Sequence, residues 1–157
     1  MIDLYVDMDG VLADFDRGVY ELCGKRPEHL SKNEMWRFIK EHYDDGKKFF
    51  KHLRLMEDAT MLWSNIEHHH PIILTATGYS IKSAGMEKIW WADLYFKGAR
   101  VITVEAGRDK AKYVSNGSVL IDDRMAAIKP WVEAGGMGIL HTDAIDTLKK
   151  LTECGFE

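Results

Sequence analysis

Cysteine is scarce in this sequence, with Cys23 and Cys154 the only two among 157 residues. Two thiols cannot build a disulfide framework, which points to a reducing compartment. No apolar run approaches the length that spans a bilayer, so no membrane partner is expected. The leading residues, Met1-Ile2-Asp3-Leu4-Tyr5-Val6-Asp7, carry acids where a signal peptide would carry lysines. The expected location is therefore cytoplasmic. Positive charge is not in excess. Lys and Arg number 21 against 25 Asp and Glu, a formal charge of −4, which argues against a wrapper of long nucleic acid. Internal repeats and low-complexity tracts are also missing, which sets aside repeat architectures.

What is present is an ordinary globular mix, 46% hydrophobic and 29% charged. At this length it predicts one domain with a core of its own, with room for a small insertion. Five Trp, six Tyr and six Phe are many aromatics for the length, so some are expected to line a pocket.

Short β-branched runs alternate with longer amphipathic ones, the pattern of a parallel sheet covered by helices. The expected strands are 2–7, 72–75, 100–103, 119–121 and 137–140, each nearly all apolar. Helices are expected over 58–68, 80–96, 125–134 and 143–151, the last capped by Asp143. The second of these has Ile81, Met86, Ile89, Trp90 and Leu94 near helical spacing. Residues 16–58 hold no good buried strand. Their helical pieces are rich in aromatics (Trp36, Phe38, Tyr43, Phe49, Phe50) and basic residues (Lys47, Lys48, Lys51, Arg54). They read as a small helical insertion folded over the end of the first strand.

The strongest chemical signal follows that strand: Asp7-Met8-Asp9-Gly10-Val11-Leu12-Ala13-Asp14-Phe15. Carboxylates two residues apart on extended chain lie on one side, and Gly10 permits a sharp turn. Two acids held so close call for a cation or a shared proton, and a hard cation such as Mg²⁺ suits them. Alone, Asp-x-Asp reads as a solvated turn or cap. Its position after a buried first strand, where open α/β sheets bind ligands, tips the balance.

Two further strand ends carry polar groups. In Ile73-Leu74-Thr75-Ala76-Thr77-Gly78 a hydroxyl and the N–H groups of the following turn could meet a phosphate. In Val119-Leu120-Ile121-Asp122-Asp123-Arg124 an apolar strand runs into two acids, a second candidate cation site, although Asp123 reads equally as a helix cap. Upstream, Gly107-Arg108-Asp109-Lys110-Ala111-Lys112 offers a lysine to neutralise a bound phosphate. His68-His69-His70 reads as a helix terminus rather than a metal site, since consecutive helical residues point apart.

Asp-x-Asp, then Thr, then Lys, then Asp-Asp, each at a strand end, resembles the haloacid dehalogenase-like (HAD) phosphatases across nearly the whole chain. Within them the strings Asp7–Phe15 and Leu120–Arg124 most resemble the 5′(3′)-deoxyribonucleotidases, with Phe49-Phe50, Glu87-Lys88, Trp91 and Arg108-Asp109-Lys110 as weaker echoes.

The resemblance implies a Rossmann-like doubly wound α/β sheet for 1–15 and 59–157, with a small helical cap at 16–58. It implies Asp7 as nucleophile and Mg²⁺ ligand, and Asp9 as general acid and base, touching the metal through its backbone carbonyl. Thr75, Ala76 and Lys110 would hold the phosphoryl oxygens, and Asp122 would complete the metal site with Asp123 in or beside it. Trp36, Phe49, Phe50 and Arg108 would line the substrate pocket. Ala76 stands where related nucleotidases often carry a hydroxyl, and the spacing to Asp122 leaves Lys112 as a minor rival to Lys110.

The activity implied is Mg²⁺-dependent hydrolysis of a phosphomonoester, a nucleoside monophosphate first, through an aspartyl-phosphate. The rivals are a polynucleotide-end phosphatase of the same chemistry, a non-hydrolysing binding protein of this fold, and a signalling receiver domain. The receiver would place its phosphorylated acid on a later strand.

Overall fold

Five strands form one parallel sheet in the computed structural model, which describes residues 2–43 and 48–157. They are β1 (Leu4–Val6), β2 (Ile72–Ala76), β3 (Arg100–Val104), β4 (Val119–Asp122) and β5 (Met137–Leu140), close to the spans expected. Their order is β3-β2-β1-β4-β5, with Tyr5 beside Ile72 on one side and Leu120 on the other. The chain thus winds outward from β1 to one edge and then restarts on the other side of β1. The order reverses between β1 and β4, and in open sheets of this kind ligands bind beyond the carboxyl ends of such strands.

Among the described residues, six α-helices accompany the sheet: α1 (Phe15–Cys23), α2 (Lys32–His42), α3 (Ala59–Ile66), α4 (Ala84–Tyr95), α5 (Met125–Glu133) and α6 (Ala144–Glu153). β1 and β4 are buried along their length because both faces are covered. On one face Tyr5, Leu74 and Leu120 pack with Ala127, Ile128 and Trp131 of α5. On the other, Leu4, Val6, Ile73 and Ile121 share a larger cluster with Leu62 and Ile66 of α3, Trp91 of α4 and Leu151 of α6. Asp143 caps α6 as expected, its Oδ1 accepting from the Asp146 N–H at 2.8 Å. The triple histidine follows the end of α3, also as expected, with His70 in the left-handed conformation.

Among the described residues, α1, α2 and two single 3₁₀ turns, Pro27–His29 and Phe50–His52, lie between β1 and α3. A Ser31–Glu34 capping box starts α2. The insertion is closed at its base by backbone pairing: the Asp14 N–H donates to Arg54 and the Met56 N–H to Leu12, both at 2.8 Å. Its apolar side chains Val19, Ile39, Phe49, Phe50 and Leu53 join the cluster of the sheet rather than closing a core of their own.

The facing of α4 departs from its sequence pattern. Met86, Ile89, Trp90 and Leu94, which suggest the helix, are exposed, while Ala84, Glu87, Lys88, Trp91 and Ala92 are buried. Apolar residues occupy both sides of this helix, so periodicity does not choose a face. Polar contacts made by Glu87, Lys88 and Trp91 do.

Candidate active site

Asp7 follows β1 at its carboxyl end and Asp122 ends β4, so two neighbouring strands bring both carboxylates to the point where the sheet order reverses. Both are buried. Lys110 reaches between them from a 3₁₀ turn (Gly107–Tyr113), its Nζ 2.7 Å from Asp7 Oδ1 and 2.6 Å from Asp122 Oδ2. Burial opposes its charge, but the two carboxylates outweigh that and raise its pKa. Lys112, the rival, is an exposed side chain paired with Asp109 at 3.3 Å. Of the two lysines, Lys110 is the one that faces the acids.

Asp123 completes an acid cluster. Asp7, Asp122 and Asp123 each bring a carboxylate oxygen within 4.8 Å of the others. Burial, then the charge of Asp7, pushes Asp122 up to about 6, with Lys110 opposing. Burial, then Asp7 and Asp122, pushes Asp123 up to about 7. One lysine does not neutralise three carboxylates, so the cluster has room for another positive charge. Its donors are hard oxygens in one small volume, the donor set Mg²⁺ favours, and the group fits. Gly10 helps to shape it. Its φ is +84°, and a Cβ built there would overlap the Asp123 carboxylate.

Asp9 takes no part in that cluster. Its side chain turns to the other flank of β1, where Oδ2 accepts from Lys88 Nζ at 2.7 Å. Oδ1 is shut off from solvent and has no hydrogen-bond partner among the described residues. Burial raises the Asp9 pKa, with Lys88 opposing and Asp7 adding to the rise. Two acids two residues apart thus sit in different surroundings, one within the acid cluster and one aside.

Thr75 is fully buried near the end of β2, and its Oγ1 accepts from Lys88 at 3.2 Å. Ala76 is half-buried, and its carbonyl accepts from the same lysine at 2.6 Å. The turn beyond them corrects one expectation. The Thr77 and Gly78 N–H groups are not free for a phosphate, because they donate to the Val104 and Glu105 carbonyls at 2.8 Å. Pairing with β3 simply runs past the end of the strand, and α4 opens only at Ala84.

Comparison with known proteins bears on the fold. No protein-family model matches the sequence, and no curated protein does. Solved structures match across nearly the whole chain. A hydrolase from Streptococcus pneumoniae is similar at TM-score 0.60 and 16% identity, over 96% of this chain and 97% of that one. A HAD family hydrolase from Deinococcus radiodurans, with bound phosphate and sodium, is similar at 0.58 and 13%, over 98% and 96%. The L-2-haloacid dehalogenase from Xanthobacter autotrophicus is similar at 0.55 and 10%, over 98% and 83%. This chain has the HAD fold. At such identities the likeness is one of architecture, and the chemistry must be argued from the side chains.

On this HAD sheet the four pocket candidates separate. Phe49 is 2% exposed, enclosed by Phe15, Tyr43 and Phe50, and is a core residue rather than a pocket wall. Phe50 is equally buried, but its ring lies 4.6 Å from Lys88 Nζ and so borders the polar site. Trp36 is half-buried on α2, tilted against Phe15 and Phe50. Arg108 is exposed, two residues before Lys110 on the same turn. Of the basic residues of the insertion, Lys47 lies outside the described residues. Lys51 Nζ sits 4.9 Å over the Trp90 ring and Arg54 pairs with Glu21 at 3.1 Å.

Sequence reasoning assigned no role to Lys88, the side chain that joins Asp9 to Thr75. A signal was present. Ala84, Lys88 and Ala92 repeat at a spacing of four, and small residues flanking a lysine mark the side of a helix pressed close to a sheet.

Proposed function

We propose that this chain is a HAD-family phosphomonoester hydrolase that depends on Mg²⁺ and acts on a nucleoside monophosphate, in the manner of a 5′(3′)-deoxyribonucleotidase. The observation that carries the reading is the division of labour at the end of β1. Asp7 sits against Lys110 in an acid cluster fit for a cation, and Asp9 turns aside into separate, half-buried surroundings beside Lys88.

Phosphoryl transfer demands positioning and charge neutralisation. Thr75 and Lys110 hold the phosphoryl oxygens, with Ala76 beside them. Mg²⁺, held by the Asp7 and Asp122 carboxylates and the Asp9 carbonyl with Asp123 in or beside the shell, would supply positive charge to the transferring group. Asp7 attacks phosphorus, the ester P–O bond breaks, and Asp9 gives its proton to the departing alkoxide. Asp9 then takes a proton from water. The water oxygen bonds to phosphorus, and the Asp7–phosphorus bond breaks to return the carboxylate and inorganic phosphate. The raised Asp9 pKa suits the protonated starting state. Trp36 is the aromatic candidate that keeps accessible surface for a base.

The test is phosphate release from a panel of 5′- and 3′-nucleoside monophosphates, ribo and deoxy, and from oligonucleotides phosphorylated at either end. It is run with Mg²⁺, with EDTA and with Asp7→Asn. The expected result is release from a mononucleotide that EDTA and Asp7→Asn abolish. Preference for the oligonucleotides would move the reading to a polynucleotide-end phosphatase. A stable phosphoprotein without turnover would make the chain a phosphate acceptor, and no reaction with any phosphate would overturn the hydrolase reading.

A further inference from the structure

We infer that Lys88 is a positioning residue that fixes Asp9 and Thr75 together at the reacting end of the site, an inference that rests on the phosphohydrolase reading above. Lys88 is 1% exposed on a helix that leaves Trp90 and Leu94 in solvent. Packing alone would favour the opposite facing, since a buried ammonium is costly unless its bonds are made. Here they are made. The ammonium has three N–H donors, and they meet Asp9 Oδ2 at 2.7 Å, the Ala76 carbonyl at 2.6 Å and Thr75 Oγ1 at 3.2 Å. The Phe50 ring covers it at 4.6 Å.

Each bond has a consequence. The bond to Asp9 engages Oδ2 and keeps the carboxyl out of the Asp7–Asp122–Asp123 cluster, so Oδ1 is the oxygen left open to carry a proton. The bond to Thr75 uses a lone pair of its hydroxyl, so the hydroxyl hydrogen is left to donate to a phosphoryl oxygen. The bond to the Ala76 carbonyl registers both against the end of β2.

The neighbours of Lys88 on α4 hold the insertion on top of it. Glu87 accepts from the Ser83 hydroxyl and, at 3.3 Å, from the Lys51 N–H. The Trp91 indole N–H donates to the Leu53 carbonyl at 2.8 Å. These contacts bracket the Phe50–His52 turn and seat Phe50 against the ammonium. One helix thereby locks the acid, the hydroxyl and the roof of the site to one another.

The test separates positioning from structural support through the leaving group. An aryl phosphate such as p-nitrophenyl phosphate expels a phenolate that needs little protonation, whereas an alkyl phosphomonoester needs Asp9 to deliver its proton. The quantity compared is kcat/KM, which for both esters ends at formation of the phosphoenzyme. In Lys88→Met, kcat/KM is expected to fall about 100-fold or more for the alkyl ester and at least ~10-fold less for the aryl ester, the range of lost general-acid catalysis. Lys88→Arg keeps the charge but cannot reproduce three divergent bonds, and is expected to show the same split in weaker form. It also serves if Lys88→Met does not fold. In an Asp9→Asn background, Lys88→Met should cost the alkyl ester no more than it costs the aryl ester in the wild-type background. Equal losses for both esters in a folded variant would overturn the inference and leave the hydrolase reading standing. A wild-type protein inert toward both esters would overturn the hydrolase reading and this inference with it.

Discussion

Lys110 and Lys88 are both buried lysines bonded to an acid of the Asp7–Asp9 pair, yet the two are built for different work. Lys110 stands between two carboxylates on neighbouring strands, with a third close by. Lys88 meets one carboxylate, one hydroxyl, one carbonyl and one ring. The Lys110 side is short of positive charge, and burial, followed by the crowding of the acids on one another, pushes Asp122 up to about 6 and Asp123 up to about 7. The Lys88 side has all its ammonium donors satisfied. Under the proposed function, the first side would change its ionic content by taking up a cation and a phosphoryl group, and the second would keep its shape while that happens.

The comparison breaks most sharply under Lys110→Met. The variant leaves Asp7 and Asp122 buried and facing each other, and removing one partner of a buried ion pair costs about 3–5 kcal/mol. Urea unfolding should show that loss, and millimolar Mg²⁺ should restore a large part of it by supplying the missing charge. Lys88→Met should be destabilised as well, but Mg²⁺ should restore no more of it than it adds to the wild type. Equal rescue of the two variants would remove the distinction between the two sides.

Gly10→Ala attacks the cation side without touching a charge. The left-handed φ and the overlap with the Asp123 carboxylate make the substitution costly, about 1–3 kcal/mol. Because Asp123 must shift, Mg²⁺ affinity measured by calorimetry should fall about 10–100-fold, as when a ligand loses its support. The Asp9–Lys88 contact lies on the other flank and should survive.

The pH dependence of the metal effect sharpens the same contrast. Asp122 and Asp123 have folded pKa values above their unfolded ones. Their contribution therefore favours the metal-free fold at pH below ~4 and is lost as pH rises through about 6 and about 7. A bound cation reverses this, since it favours the ionised acids. The rise in Tm on adding Mg²⁺ should accordingly grow between pH 5 and pH 8, by several degrees in a chain of this size. A rise that is flat across that interval would take the cation away from these acids.

The cation side was the legible one, for a physical reason. Its acids directly follow buried apolar strands, so the strand pattern alone places Asp7 and Asp122 at one edge of the sheet. The strand alternation likewise gave the sheet, since β1 and β4 are covered on both faces. The resemblance favoured Lys110 and left Lys112 as a minor rival, because only packing sets which side of a 3₁₀ turn faces the strands. Lys88 was harder still. A lysine on an apolar helix ordinarily points to water, and here contacts from β1 and β2 override the stripe of Met86, Ile89, Trp90 and Leu94. Phe49 shows the same limit, since an aromatic in a helical insertion looks alike in sequence whether it fills the core or lines a pocket.

The smallest expected effect carries the opposite sign to the acid cluster and isolates it. His141, just after β5, is buried, with Nδ1 2.7 Å from Thr147 Oγ1 and Nε2 without a partner among the described residues. Burial lowers its pKa, against the pull of Asp58, Asp143, Asp146 and Asp7. Its stabilising contribution is present above the unfolded histidine pKa of about 6.5 and is lost as pH falls below that value through the folded one. Acidifying the metal-free protein from pH 7.5 to pH 5 thus sets two trends against each other: relief of the crowded acids, which raises stability, and protonation of His141, which lowers it. His141→Gln can keep a hydrogen bond to Thr147 and removes only the second trend. Its Tm, measured in EDTA across this interval, should therefore rise more, or fall less, on acidification than that of the wild type. In saturating Mg²⁺ both proteins should lose stability on acidification, and the wild type should lose more.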